Sequence, residues 1–190
     1  EIGKPAQGKL VIIGANGPEF DEYRVMTRKE WWYYGVVKGD TIIFEPLDIM
    51  MRRNIAQVGI TQKIAQAALN RRSGGRVPLW IRESVASRVA GENEIIIMQM
   101  EEFRRVGHSL IRSPEAIEIA LAEATDREET RIAFHGALRM LERLLATHSM
   151  DNVLSFLDRL REGKSLDEAS EVAFGIGYDA LIDKIRIDRD

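Results

Sequence analysis

The chain has 190 residues, of which 45% are hydrophobic and 30% charged, and its formal net charge is -3. This length can bury one core, and the apolar content is too high for a disordered segment. The longest apolar runs, at residues 10–13 and 95–98, are far too short to cross a membrane. The absence of cysteine excludes disulfides, thiolate metal sites and cysteine nucleophiles. Because the sequence starts at Glu1 rather than Met, we expect a processed or excised piece.

The charge is distributed unevenly along the chain. Residues 48–90 carry eight Lys or Arg against two Asp or Glu, whereas residues 91–190 carry thirteen against twenty-one. A basic middle segment beside an acidic end could attract an anionic partner, or the two parts could neutralise each other within one fold. We favour mutual neutralisation.

The first part of the chain has the pattern of β-strands. Three short stretches rich in β-branched and aromatic residues lie at residues 9–13, 31–37 and 41–44. Gly and Pro cluster at residues 14–18, which predicts a turn after the first stretch. The pattern predicts a small, mostly antiparallel sheet near the N-terminus.

The hydrophobic period changes to a helical one from about Asn54. Helices are predicted over residues 60–70 and from Pro78 to residue 86, with a Gly-rich loop between them. Residues 95–100 fit either a strand or a helix. Further helices, marked by amphipathic spacing or capping residues, are predicted over 113–124, 127–147, 151–160, 165–175 and 178–187.

These elements and the lack of an internal repeat favour one α+β domain over residues 1–190. The sheet and two crossing helices would occupy residues 1–90. A helical C-terminal lobe would occupy residues 91–190.

Two stretches carry a resemblance to a known family. One is Thr-Gln-Lys-Ile-Ala-Gln at residues 61–66, and the other begins with Gly-Gly at residue 74 and continues as a Pro-x-Trp-x-x-Glu helix. In this order they resemble the core of the gluzincin-type zinc peptidases, most closely the bacterial peptidase MA-like domains. Pro78, Trp80 and Glu83 match the second helix of that family, and residues 163–175 resemble its tail. The resemblance implies a zincin-like fold.

The metal-binding motif of that family is degenerate here. Zincins place His-Glu-x-x-His on one helix, so that two imidazoles one turn apart hold zinc and the Glu acts as base. The matching residues are Gln62, Lys63 and Gln66. Amide oxygens are poor zinc ligands, and a protonated Lys repels the ion and cannot act as base. Glu83 alone remains of the implied ligands, and Phe134 stands where the family often has an oxyanion-stabilising Tyr. We therefore expect no metal, no cofactor and no catalytic residue.

The resemblance also implies which side chains face one another across the former metal site. We predict an ion pair between Lys63 and Glu83, with the two Gln side chains hydrogen-bonded nearby. The alternative is that Lys63 reaches solvent and Glu83 pairs with Arg82 or Arg88.

Other candidate residues lie outside this motif. His108, His135 and His148 have no ligand spacing between them, so they are read as ordinary surface or boundary residues. The aromatic run at residues 31–34 could stack on a ligand, and strand alternation places Trp31 and Tyr33 on one face.

The function implied by the resemblance is that of a catalytically inactive pseudopeptidase domain that binds a protein or peptide, or acts as a scaffold. A cleft that once held an extended peptide can still add one to an exposed edge strand. The expected binding residues are Trp31, Tyr33, Lys63, Trp80 and Glu83. The family also implies a bacterial, extracytoplasmic envelope protein, with no nucleic-acid partner.

Two alternatives remain open at this point. One is a hydrolase or peptidase with a non-standard site, using Glu83 as a lone acid or a metal held elsewhere. The other is binding of an anionic polymer or nucleic acid through the basic region at residues 52–88.

Overall fold

The computed structural model describes residues 9–26, 34–92, 113–123 and 127–186. Most of these residues are helical, and a small three-stranded sheet lies near the N-terminus. The predicted α+β class with a helical C-terminal part is therefore present. Within the described ranges, no helix combines the length and apolarity that a membrane span requires.

The sheet is mixed rather than mostly antiparallel. Strands β1 (Val11–Gly14), β2 (Gly35–Lys38) and β3 (Thr41–Phe44) lie in the order β1-β3-β2. β2 and β3 form the predicted antiparallel hairpin, whereas β1 runs parallel to β3. Parallel pairing is possible because a long connection between β1 and β2 lets the chain cross over before the hairpin begins.

That connection contains a helix, α1 (Gly17–Met26), where the sequence predicted only a turn. Asn16 and Glu19 cap its first turn reciprocally. The Asn16 Oδ1 accepts from the Glu19 backbone N–H at 3.0 Å, and the Asn16 N–H donates to Glu19 Oε2 at 3.2 Å. This is the capping-box spacing, so a recognisable start signal was present.

The middle of the chain forms a helical hairpin. After the short helix α2 (Leu47–Arg52), helix α3 (Ala56–Ser73) ends at Gly74, which adopts a left-handed φ of 65°, and helix α4 (Leu79–Ala90) folds back against α3. The two predicted helices are thus present and pack on each other, although α3 is longer than expected. Because α3 also packs on β2 and β3, it joins the sheet to the helices.

The C-terminal part is helical, with helices α5 (Pro114–Glu123), α6 (Arg127–Thr147), α7 (Met150–Arg161), α8 (Leu166–Phe174) and α9 (Tyr178–Ile185). The predicted capping box of Ser165 and Glu168 starts α8. Buried side chains of α3, α4 and all five C-terminal helices form the main core, and Trp80 and Phe156 are its largest fully buried members. The ambiguous stretch at residues 95–100 lies outside the described residues.

Candidate functional site

Three polar residues of α3 face α4 in the interior of the protein. Gln62, Lys63 and Gln66 are only 3%, 2% and 2% exposed, and Glu83 of α4 is 3% exposed. Residues three or four apart share one face of a helix, which brings the side chains on α3 together. Lys and Glu are almost never buried to this extent unless they are paired. The positions that the sequence singled out therefore meet at the contact of α3 and α4.

A chain of hydrogen bonds connects Lys63 to Glu83 through Gln66. The Lys63 Nζ donates to Gln66 Oε1 at 3.2 Å, and the Gln66 Nε2 donates to Glu83 Oε2 at 2.5 Å. The second carboxylate oxygen of Glu83 accepts from Arg82 Nε at 2.8 Å and from its Nη2 at 2.6 Å. Gln66 therefore bridges Lys63 and Glu83, and the Glu83 carboxylate pairs with Arg82, as the alternative predicted for that residue. Arg82 takes the carboxylate because its guanidinium offers two donors from the neighbouring position.

Gln62 connects the same cluster to the end of α4. Its Nε2 donates to Ser87 Oγ at 3.1 Å and to Glu92 Oε2 at 2.8 Å. The Tyr34 hydroxyl lies between Gln62 Oε1 and Glu92 Oε1, close enough to donate to either. The ring of Tyr34 also lies under Lys63, whose Nζ is 5.3 Å from the ring centroid, a cation–π contact.

Tyr34 and Glu92 were not identified as site residues from the sequence. Tyr34 is the last residue of the aromatic run that precedes β2. The sequence indicated that this run could stack on a ligand, but not that the Tyr34 side chain points toward Gln62. Glu92 follows the C-cap glycine of α4 in a stretch with no motif, and only the packing of α4 on α3 brings it to Gln62. We call this set the polar cluster, with the members Tyr34, Gln62, Lys63, Gln66, Arg82, Glu83, Ser87 and Glu92.

Opposite charges balance within the polar cluster. Lys63 and Arg82 supply two positive charges, and Glu83 and Glu92 supply two negative ones. Burial raises the pKa of Glu92, and the nearby Lys63 charge partly offsets that rise. Such a network is tolerated in an interior because each charge has a partner and most polar atoms are hydrogen-bonded.

The donors in the polar cluster do not fit a zinc ion. Across the described ranges, no group of three His, Cys, Asp or Glu side chains is arranged to hold a metal. The amides of Gln62 and Gln66 are hydrogen-bonded to neighbouring side chains, and the Lys63 ammonium would repel a divalent cation. The remaining carboxylate, that of Glu83, is already bound by Arg82 and Gln66.

The histidines and the other predicted site residues are dispersed. His135 is buried within α6, His148 packs edge-on against Phe174 at a centroid distance of 5.2 Å, and Phe134 is half-buried on α6. Trp31, Tyr33 and His108 lie outside the described residues.

Trp80, expected to contact a ligand, is part of the core. Its side chain is fully buried, and its Nε1–H donates to the Tyr178 hydroxyl at 3.0 Å. Burial raises the pKa of Tyr178 to about 12, so this hydroxyl stays protonated at physiological pH. Trp80 therefore joins α4 to α9 rather than lining a surface.

Glu118 holds α4 in position and was not predicted. Its carboxylate, on α5, accepts from the backbone N–H groups of Leu79 at 3.1 Å and Trp80 at 2.9 Å. Pro78 precedes α4 and provides no side-chain cap, so the cap comes from a distant part of the chain. Burial raises the pKa of Glu118, and the two backbone hydrogen bonds oppose that rise.

Most arginines of the basic region pair with acidic or carbonyl groups of the same chain. Arg72 makes a bidentate contact with Asp158, at 2.8 and 2.7 Å. Other contacts of the region are Arg52 with Asp48, Arg53 with Glu45, Arg71 with Asp40, and Arg76 with the Leu160 carbonyl. The guanidinium of Arg71 holds the pKa of Asp40 below its usual range. Asp158 is the one carboxylate among these that belongs to the acidic end, so the favoured interpretation is supported at that contact, whereas Arg52, Arg53 and Arg71 are neutralised by acids at residues 40–48.

An apolar strand edge lies on the surface. Among the described strands, β1 stands at one edge of the sheet. Its residues Val11, Ile12 and Ile13 are 41%, 53% and 42% exposed. Exposed β-branched residues on an edge strand form a template on which another strand can pair.

Comparison of the chain with protein-family models, with curated proteins and with solved structures gives no match.

Proposed function

We propose that this chain is a catalytically inactive, zincin-like domain of the peptidase MA-like kind, and that it acts by binding an extended segment of another protein. The observation that carries the proposal is the polar cluster. Residues at the spacing of a His-Glu-x-x-His motif on α3 meet a glutamate of α4, and a buried, internally hydrogen-bonded network with Lys63 occupies that place.

The polar cluster is unsuited to hydrolysis for two reasons. Hydrolysis of this kind needs a metal-activated water and a free base, whereas Glu83 is held by Arg82 and Gln66. A divalent ion near Lys63 would also be repelled, since two unit charges ~4 Å apart already interact by roughly 4 kcal/mol at an effective dielectric of 20. Phe134 adds no hydrogen-bond donor for an oxyanion.

The edge of β1 is the surface that supports a binding role. A strand added there would gain main-chain hydrogen bonds and would cover Val11, Ile12 and Ile13. The resemblance to envelope peptidases supports a bacterial, extracytoplasmic setting for such a binding domain. A scaffolding role would use the same edge.

The anionic-polymer alternative has less support. A polyanion-binding surface needs several cations free to contact phosphate or carboxylate groups. In this chain Arg53, Arg71 and Arg72 instead contact the protein's own carboxylates. The hydrolase alternative also has less support, because Arg82 and Gln66 already bind the Glu83 carboxylate.

The proposal is tested by combining a cleavage assay with a binding assay on the purified chain. Mass spectrometry of a mixed peptide library, with and without added Zn²⁺ or Mn²⁺, should show no cleavage. Fluorescence anisotropy of labelled heptapeptides with a β-branched apolar centre should show binding. Ile12→Lys should weaken peptide binding at least about tenfold. Val172→Lys, at a site 59% exposed on α8, should leave peptide binding unchanged. Cleavage that is lost in Glu83→Gln would establish an enzyme, and equal binding by both lysine variants would exclude the β1 edge.

A further inference from the structure

The outer edge of β1, at the end of the described strand order, has a defined hydrogen-bonding pattern. The Val11 N–H donates to the Asp40 carbonyl at 2.9 Å, and the Ala15 N–H donates to the Phe44 carbonyl at 3.0 Å. Along a strand, alternate residues direct their backbone groups to opposite sides. Ile12 and Gly14 therefore direct their N–H and C=O groups away from β3, toward the outer edge.

We propose that this edge pairs with β1 of a second copy of the chain, in antiparallel orientation about a two-fold axis at Ile12. This inference rests on the proposed function, because it uses the same edge, where a second copy of the chain would compete with an extended segment of another protein. Ile12 would exchange both main-chain hydrogen bonds with Ile12 of the second copy, and Gly14 would stand opposite Leu10. Val11 and Ile13 would face one another across the axis, so exposed β-branched side chains would cover each other on both faces of the joined sheet.

Charge complementarity favours a second copy as the occupant. Lys9 precedes β1, and Glu19, fixed in the cap of α1, follows it. Antiparallel pairing about Ile12 places Lys9 opposite Ala15 of the second copy, near that copy's Glu19. The two-fold axis repeats this contact, and no charged residue lies within β1 to oppose pairing. The segment is therefore complementary to itself in charge.

The size of the edge limits the strength of the contact. Five paired residues on each side, 10–14, bury less surface than a standard stable interface, so we expect a dissociation constant on the order of 10–100 μM. Because the same patch is used by both copies, the assembly closes at two subunits and cannot grow into a fibre.

Sedimentation equilibrium of the chain from about 5 to 500 μM tests the proposal, and the native protein should fit a monomer–dimer equilibrium. Ile12→Lys places two lysines face to face on the axis and should weaken the dimer at least about tenfold. Val172→Lys adds the same charge at a site of similar exposure and should leave the dimer unchanged.

A charge exchange identifies the register of the pairing. Lys9→Glu and Glu19→Lys should each weaken the dimer several-fold, and the double variant should recover most of the native affinity. Glu19→Lys also removes a cap of α1, and the double variant still lacks that cap. Recovery of affinity in the double variant can therefore come only from the restored charge pairing. Thermal melts should show all variants folded.

Three results would overturn the self-pairing. They are a monomer at every concentration, a dimer that Ile12→Lys leaves intact, and open-ended assembly. A monomer that still binds β-branched peptides through Ile12 would reject the self-pairing and leave the proposed function standing. Failure of both peptide binding and self-association would reject the two together.

Discussion

At the scale of single residues, the most informative feature is the burial of Lys63. An ammonium 2% exposed is stable in an interior only when neighbouring groups compensate its charge. Here Gln66 accepts a hydrogen bond from it, the Tyr34 ring lies beneath it, and the charge of Glu92 lies nearby. Lys63 thus supplies a buried positive charge to the polar cluster.

Replacement of Lys63 by Met should therefore destabilise the fold. The change keeps the side-chain volume but leaves Glu92 without its compensating charge, and we expect a loss of about 2–3 kcal/mol at pH 7. Urea denaturation measures the free energy of unfolding. The control is Lys38→Met, at an exposed position of β2, which should change that free energy little. The double variant Lys63→Met, Glu92→Gln should recover part of the loss. A fully stable Lys63→Met protein would mean that Lys63 is not part of the charge balance.

The pH dependence of stability should depend on Glu92. Burial raises its folded-state pKa above the ordinary value of 4.5, so protonated Glu92 favours the folded state. That contribution is complete below the unfolded-state pKa and is lost as pH rises through the folded-state pKa. Relative to Glu92→Gln, the native chain should therefore lose stability as pH rises above 4.5, until Glu92 is ionised in the folded state as well. Urea midpoints at four pH values measure the difference, and a constant difference would contradict the assignment.

The sequence identified the positions of the polar cluster but not its bonding. The residue spacing on α3 and the resemblance together predicted that Gln62, Lys63 and Gln66 would face Glu83, and the structure brings them together. The partner of Glu83 depended on side-chain geometry between neighbours, which a sequence pattern does not contain. Glu92 was missed because its position depends on long-range packing.

At the scale of secondary structure, local signals predicted the C-terminal helices well. Ser165 with Glu168, and Gly175 in a left-handed conformation, mark both ends of α8 within the chain itself. The sheet was less predictable, because strand order depends on contacts between distant segments. Helix α1 was missed because the Gly-Pro pair at its start was read as a turn, although Asn16 and Glu19 carry a capping signal.

Glu118 should stabilise the start of α4. Glu118→Ala leaves the N–H groups of Leu79 and Trp80 without their acceptors, and we expect a loss of about 1–2 kcal/mol. Glu123→Ala, at an exposed position on the same helix, serves as the control. Thermal unfolding of the two variants compares them. Equal stability would show that α4 needs no cap from α5.

Gly59 packs α3 closely against Tyr34, which precedes β2, and against Met50 of α2. A Cβ atom added there would lie 2.9 Å from the ring of Tyr34 and 3.0 Å from the Met50 methyl group. Gly59→Ala should therefore destabilise the fold by about 1–3 kcal/mol, although alanine is the better helix former. Ala68→Gly, at a half-buried site on the same helix, tests the propensity effect alone. Stabilisation by Gly59→Ala, measured in urea, would contradict this packing.

At the scale of the whole molecule, the basic middle and the acidic end of the chain are joined. Arg72 contacts Asp158 of α7 through two hydrogen bonds, and Arg76 donates to the Leu160 carbonyl of the same helix. The charge pattern predicted that such compensation would occur, but only the fold shows which groups meet. The polar cluster lies on the same hairpin, at the contact of α3 and α4.

The central claim is that the hairpin of α3 and α4 retains the layout of a zinc site whose ligands have been replaced. The direct measurement is the zinc stoichiometry of the triple variant Gln62→His, Lys63→Glu, Gln66→His, determined by elemental analysis after dialysis against dilute zinc. We predict that the triple variant holds one tightly bound zinc per folded chain and that it loses the ion when Glu83→Gln is added. The native protein should hold less than about a tenth of a zinc ion per chain. A folded triple variant that holds no zinc, or a native protein that retains zinc dependent on Glu83, would contradict the claim.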